Sequence, residues 1–299
     1  MADNTIPAGL QNNIISQSAL EAFAKKLAPI QAFSTSFNDE ATQRGKTINV
    51  TTLANTDTAV AFEGTYTSMT SSYSTTEISL TNHKFVTWHV TDTEASQSSA
   101  VELERFGYQK GSDLANAVFS NILNEVTNAN YGTAGFVGAA STFDGDEVAD
   151  LRQDMQDANC PIDQCALVLS NSYYASLLKD GDISGYFDYG SADIIRDGRI
   201  PSLFGVGYIF ETGSIPGNSE NLVGFIAHPS AMAVAMRYLE PTNTQEYIDA
   251  RRIYDEDSGL VLGYREFYEP STGTQTAVLE AVYGFKVAVS GALLRMTSS

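Results

Sequence analysis

The stretch that most limits what this chain can fold into runs from Ser99 to Asn130, SAVELERFGYQKGSDLANAVFSNILNEVTNAN. Leu114, Val118, Phe119, Ile122, Leu123 and Val126 recur in it at steps of one, three and four, an apolar stripe on a 3.6-residue period. Ser99 and Glu102 have the spacing of a capping box, in which hydroxyl and carboxylate satisfy amides of the first turn. The expectation is one helix from Ser99 to Asn130. Gly107 and Gly111 lie inside it and each costs about 1 kcal/mol against Ala, so a bend or break is allowed there. A helix of roughly 30 residues is about 45 Å long, well over twice the usual globular length. Something long must lie along it.

The rest of the chain can supply a core. Its 299 residues are 43% hydrophobic, enough for one large domain or two ordinary ones. Against 17 Lys+Arg stand 36 Asp+Glu, a formal net charge of −19. That argues against direct nucleic-acid binding, which relies on clustered cations, and suits a surface that must stay soluble or not stick to nucleic acid. No segment has the ~20 consecutive apolar residues of a membrane span. The start, MADNTIPAGLQNN, lacks the basic and apolar regions of a secretion signal, so an intracellular origin is expected.

In chain order, residues 1–18 are polar and read as an extended arm. Ser18 and Glu21 repeat the capping-box spacing and open a short helix, stopped by Pro29, with Leu20, Phe23 and Leu27 on its apolar face. From Thr47 to Thr91 the texture turns to Thr, Ser and β-branched residues. Ile48 and Val50 alternate with polar neighbours, as do Ile78 and Leu80, then Val86, Trp88 and Val90. Between these runs lies a weakly apolar tip with Gly64 as a turn. A lone hairpin of that length is marginal in water. It is either two strands of an ordinary sheet or an arm that lies on a neighbouring subunit.

Beyond the long helix, Asp144 to Glu147 caps a helix carrying Val148, Leu151 and Met155, and Ala166–Leu169 is a buried-strand run. Ser170 caps a further helix with Tyr173, Tyr174, Leu177 and Leu178. Asp180 to Arg199 reads as loop, Val206–Phe210 and Leu222–Ala227 as strands, and Ile215 to Asn218 as a turn. Pro229 suits the first turn of a helix over Ala231–Met236. The remainder reads as β, with YREFYEP leading to a turn at Pro270–Gly273, strands at Thr276–Val282 and Lys286–Val289 after it, and the last strands returning beside the long helix.

No catalytic constellation emerges. The carboxylates of Asp144, Asp146 and Glu147 crowd a helix start, where capping explains them. DGDISG has the acidic opening of a calcium loop but lacks the Gly and final Glu positions of an EF-hand. There is no GxSxG, no GxxxxGK[ST] and no metal-ligand spacing among His83, His89 and His228; His228 reads as a residue capping the turn at Pro229. Cys160 and Cys165 read as two reduced structural thiols, a disulfide being the second choice. No cofactor or metal is expected.

The succession of parts resembles the major capsid proteins of tailed bacteriophages, the Hong Kong 97-like (Johnson) fold that encapsulins share. The stretches that carry the resemblance are CALVLSNSYYASLLKD, GRIPSLFGVGYIFETGSIPG, GFIAHPSAMAVAMR and VYGFKVAVSGALLRM. The resemblance implies an α+β chain with an N-terminal arm at 1–44 and an extended β-hairpin loop at 45–94. It implies a peripheral domain with a spine helix at 95–142 and 239–299, and an axial domain at 143–238. It further implies an icosahedral shell of hexamers and pentamers enclosing double-stranded DNA, assembled in the bacterial cytoplasm, with a separate scaffolding protein, a portal and no membrane. The inter-subunit candidates are Phe62, Glu63, Gly64, Tyr66, Met69 and Tyr73 in the hairpin. Asp182, Tyr186, Phe187, Tyr189, Arg196 and Arg199 are those in the axial loop, and Leu20 and Phe23 those in the arm. Some relatives cross-link subunits through a hairpin lysine; here no lysine lies between Lys46 and Lys84, so no such bond is expected. The alternatives are an encapsulin-type compartment shell and, from another class, an α+β enzyme or ligand-binding protein.

Overall fold

The structure, a computed structural model, describes residues 8–35, 47–54, 61–62, 64, 72–97, 100–181, 198, 200, 202–243, 245–254 and 261–299. In chain order these form helix α1 (Ala8–Leu27), strands β1 (Thr47–Ala54), β2 (Ser72–Ser79) and β3 (Asn82–Thr91), and helices α2 (Asp92–Gln97), α3 (Ala100–Leu123) and α4 (Asn128–Tyr131). Then come β4 (Phe136–Val137), α5 (Gly145–Asp157), β5 (Ala166–Leu169), α6 (Asn171–Lys179), β6 (Tyr208–Glu211), β7 (Leu222–Ala227) and β8 (Met232–Arg237). The chain continues with β9 (Asp249–Tyr254), β10 (Val261–Glu269), β11 (Thr274–Val287) and β12 (Leu293–Thr297).

The apolar stripe of α3 is buried along its whole length, and Val126 just beyond it is buried too. The helix is shorter than its periodicity predicts. It ends at Leu123, and α4 follows after a turn in which Val126 N–H donates to the Leu123 carbonyl at 2.9 Å. Asn and Thr in NEVTNAN compete with the helix for backbone partners; the Asn130 amide donates to the Glu125 carbonyl at 2.8 Å. Ser99, the expected cap, lies outside the described residues. At 24 residues α3 spans roughly 36 Å.

Gly107 and Gly111 do not break α3; they are where α1 crosses it. A Cβ on Gly107 would stand 2.4 Å from the Ile15 carbonyl oxygen, and one on Gly111 would stand 1.9 Å from that of Ala19. Four residues apart, the glycines share one helix face, and their missing side chains let the backbones meet. This corrects the reading of an extended arm over 1–18 for its described residues, because the helix starts at Ala8. Ser18 is mid-helix, and its hydroxyl donates to the Glu104 carbonyl of α3 at 2.6 Å rather than capping. Ile15, Ala19, Ala22, Phe23 and Leu27 are buried. The long object lying along the spine is the chain's own N-terminal helix.

Below these helices lies an antiparallel sheet of order β3-β11-β10-β9, with β8 pairing the far end of β11. Trp88, Tyr264, Ala277, Leu279 and Tyr283 are buried in the same core as α1 and α3, and the Asn121 amide of α3 donates to the Tyr283 hydroxyl at 2.8 Å. The two strands expected over 276–289 are one strand of 14 residues. The helix expected over Ala231–Met236 is instead a 3-10 turn, Pro229–Ala231, followed by β8. Met232, Val234 and Met236 enter the main core while Ala233 and Ala235 pack on Ile78 and Leu80, so both faces are covered and no polar alternation marks the strand.

β1 and β2 form a two-stranded antiparallel sheet in register from Thr47↔Ser79 to Ala54↔Ser72, the expected hairpin. Its root, Ile48, Ile78 and Leu80, packs on β8. A second sheet has the order β4-β12-β7-β5-β6. It takes β12, which was expected in the peripheral unit, while β8, expected in the axial unit, belongs to the first sheet. The sequence around Leu293 is equally apolar for either place; the pairing of β12 with β7 and β4 decides. α5 is capped as expected, with the Asp146 N–H donating to Asp144 Oδ1 at 3.0 Å and Val148, Leu151 and Met155 buried.

The loop between β6 and β7 ties these parts together. The Asn218 side-chain amide donates to the Leu123 and Val126 carbonyls at 2.8 and 2.9 Å, closing the end of α3. Glu220 accepts from the Asn128 N–H at 2.9 Å, at the start of α4, and pairs with Arg295 of β12. Arg295 is 4% exposed and also donates to the Gly132 carbonyl at 2.8 Å. Asn218, Ser219 and Asn221 all take left-handed backbone conformations, φ 50°, 56° and 52°.

Two expectations follow. Gly111→Leu should lower unfolding stability by about 3 kcal/mol, since core overpacking alone costs ~1–3 kcal/mol and backbone is struck here, whereas Gly291→Ala, with open space around it, should stay within about 0.5 kcal/mol of the parent. Urea titration measures both. At the loop, Glu220→Ala strands a buried guanidinium and should cost roughly 3 kcal/mol, while Arg295→Met leaves a part-exposed carboxylate that water can solvate and should cost less; the order of the two midpoints is the check.

Candidate assembly surfaces

The histidines and cysteines are engaged in holding the fold. His228 caps its turn as expected, its Nδ1 accepting from the Ser230 N–H at 3.2 Å, and burial lowers its pKa. His83 Nε2 lies 3.0 Å from a Glu280 oxygen whose partner oxygen is 2.8 Å from Arg265, and His89 Nδ1 is 2.9 Å from the Thr276 hydroxyl. These pairs tie β3, β10 and β11 across one face of the first sheet. Cys160 and Cys165 are free, buried thiols; burial pushes Cys165 up to about 12 and Cys160 up as well. Among the described residues no three His, Cys, Asp or Glu side chains gather as a metal cluster.

Of the hairpin candidates, Phe62 is 64% exposed, Gly64 has φ 92°, and Tyr73 sits in β2 opposite Leu53. Glu63, Tyr66 and Met69 lie outside the described residues, as do Asp182, Tyr186, Phe187, Tyr189, Arg196 and Arg199 of the axial loop. Leu20 is half-buried against the core. Phe23 is 1% exposed inside its own chain, between α1 and the core, and so presents nothing to a neighbour; the close α1–α3 crossing is the reason.

One surface feature escaped the sequence reading. Leu203 to Val206 form a tight turn closed by the Val206 N–H donating to the Leu203 carbonyl at 3.0 Å. Its central residues, Phe204 and Gly205, have φ 50° and 83°. Such a turn favours Asn-Gly, and a bulky residue in the left-handed region costs about 1–2 kcal/mol. Phe204 is nevertheless 46% exposed. Just after it, Tyr208 is 57% exposed and stacks on Phe210 with ring centroids 6.2 Å apart. The legible signal was an uncharged run with three aromatics, LFGVGYIF, feeding a short strand. β6 ends the second sheet, and at the opposite end β4 carries Val137, 64% exposed.

The thiols offer a direct check of this packing. At pH 8 both should be protonated and shielded, so a thiol-specific disulfide reagent should label neither in the native protein and both after denaturation. Rapid titration of two native thiols would contradict the arrangement.

No protein-family model matches the sequence, and no curated protein matches it. Solved structures do. The capsid of cyanophage P-SCSP1u is similar at TM-score 0.56 and 12% identity, over 86% of this chain and 84% of that one. The mature capsid of bacteriophage PhiM1 gives TM-score 0.55 and 10% identity over 86% and 83%. A virus-like particle from Pyrococcus furiosus gives TM-score 0.53 and 15% identity over 95% and 98%. Among the described residues no helix is long and apolar enough to cross a membrane. With its two-stranded hairpin, long helix over one sheet, and second sheet inserted and closed by the C-terminal strand, the chain has the Hong Kong 97-like capsid fold.

Proposed function

We propose that this chain is the major capsid protein of a tailed phage, copies of which build an icosahedral shell around double-stranded DNA. The observation that carries the reading is the likeness in fold to phage capsids over some nine-tenths of the chain, for example 90% of this chain and 90% of the Mycobacterium phage Che8 structure at TM-score 0.55. The hairpin supports it. Two strands alone are marginal in water, and among the described residues β1 and β2 pair only with each other, so a neighbouring copy is the natural surface for the exposed ribbon.

The charge balance fits a container. At −19 the protein repels packed DNA and leaves the polymer free to move along the wall. A portal and a separate scaffolding protein complete this reading, with hexamers and pentamers closing around the axial loop and the virion as the location. Within the arm expected at 1–44, α1 packs on its own chain through the Gly107 and Gly111 crossing. A compartment shell is the second reading, because the likeness also extends to the Pyrococcus furiosus virus-like particle.

Negative-stain electron microscopy of the purified protein tests the proposal. Closed particles or ring-shaped capsomers are expected, and a compact monomer at every concentration overturns it. Nuclease-protected DNA inside native particles selects the virus over the compartment. Denaturing gels of those particles should show a single monomer band, since no lysine lies between Lys46 and Lys84.

A further inference from the structure

The hairpin has two open strand edges, because among the described residues β1 and β2 pair only with each other. An open edge is a row of backbone donors and acceptors that a further strand can complete. The charge of this hairpin is one-sided. Residues 47–83 contain Asp57, Glu63 and Glu77 and neither Lys nor Arg. Glu77 stands on β2 opposite Asn49 of β1, exposed, and among the described residues no hydrogen bond or ion pair engages it.

Few strands of a second copy can receive such an edge. Another hairpin would set acid against acid. The outer side of β8 is taken by Ser34, whose N–H donates to the Met232 carbonyl at 3.1 Å. The end strands of the two five-stranded sheets are β3, β9, β4 and β6. β4 has two residues, too few for a strand of eight. β6 carries no cation and ends in Glu211. β9 carries Arg251 and Arg252, but Glu246 and Asp249 precede them and Asp255, Glu256 and Asp257 follow. Arg251 is also already engaged by Asp249 and Ser16. β3 is different. It has ten residues, and the stretch 78–91 holds His83, Lys84 and His89 with no acid. Lys84 and Phe85, which point to opposite faces, are both exposed, Phe85 to 60%. Among the described residues Lys84 has no ion-pair partner. Within one copy β2 runs into β3 through Leu80 and Thr81, yet the two strands do not pair.

We propose that β2 of one copy adds as a further strand to the open edge of β3 in a second copy, with Glu77 facing Lys84. Each copy offers both halves, an acid on its hairpin and a base on β3, so the contact is head-to-tail and closes a ring where the rotation allows. Backbone hydrogen bonds hold the added strand, and the charge pair selects the edge and the register. This inference rests on the shell reading and names the surface on which a neighbour's hairpin sits.

The experiment compares the parent protein with Glu77→Lys, Lys84→Glu and the double variant carrying both. Melting temperature is read by circular dichroism, and assembly by light scattering across a concentration series. Both side chains are exposed, so all three variants should melt within about two degrees of the parent. Each single reversal sets like charges against each other and should raise the concentration needed for assembly roughly tenfold. The double variant should return close to the parent. Net charge alone predicts a different pattern, since Glu77→Lys moves it from −19 to −17 and eases repulsion between copies, while Lys84→Glu moves it to −21. Glu77→Lys assembling as well as the parent or better would overturn the proposal, and so would a double variant no better than either single, in both cases with the shell reading intact. Should a reversal melt lower than this, Glu77→Gln and Lys84→Gln replace it; weaker assembly of each is expected, and parent-like assembly would overturn the contact. A parent protein that stays monomeric at every concentration would remove the shell reading itself, and this contact with it.

Discussion

Everything in this molecule is arranged around two backbones that touch. α1 and α3 come together where Gly107 and Gly111 leave no side chain between them, and the Ala19 carbonyl occupies the space a Cβ would need. Close crossing of this kind multiplies dispersion contacts along both helices and lets Ile15, Phe23 and Leu27 share one core with Leu114, Val118 and Phe119. The paired helices then roof the first sheet, with Trp88 and Tyr264 beneath them, ring centroids 6.3 Å apart. Glycine's usual penalty inside a helix is accepted here for proximity.

From that pair the second sheet is positioned by polar groups rather than by apolar bulk. The end of α3 is held by Asn218, the start of α4 by Glu220, and Glu220 is held in turn by Arg295. Buried ion pairs contribute little net stability against an apolar substitute, and their attested use is to select one arrangement over others. The loop's left-handed residues, Asn218, Ser219 and Asn221, are of types that tolerate that backbone best or pay modestly for it. The angle between spine and second sheet is thereby specified by a handful of directional contacts.

What could be read from the residues followed the range of the interactions that decide them. The stripe from Leu114 to Leu123, the Asp144 cap, the β5 run and the Leu222–Ala227 strand are local patterns, and each stands where its period places it. The start of α1 was not legible, because AGLQNNIISQS owes its helix to glycines some ninety residues away. β8 looked like a helix because AMAVAM is buried on both sides and so shows no polar alternation. Phe204 was missed for the opposite reason. Its turn contradicts the residue preference that would have announced it. Of the interaction residues singled out from the sequence, Phe62 is exposed at the hairpin while Phe23 is enclosed by its own chain.

The interleaving of the two sheets bears on how the chain is made. β3 waits for β11, and β4 for β12, so these two strands from the first half of the polypeptide find their partners only in its last forty residues. Such long-range pairing is slow to form. During translation neither five-stranded sheet closes until nearly all the chain has left the ribosome. A nascent chain therefore carries β3 and β4 without their closing partners until it is almost complete.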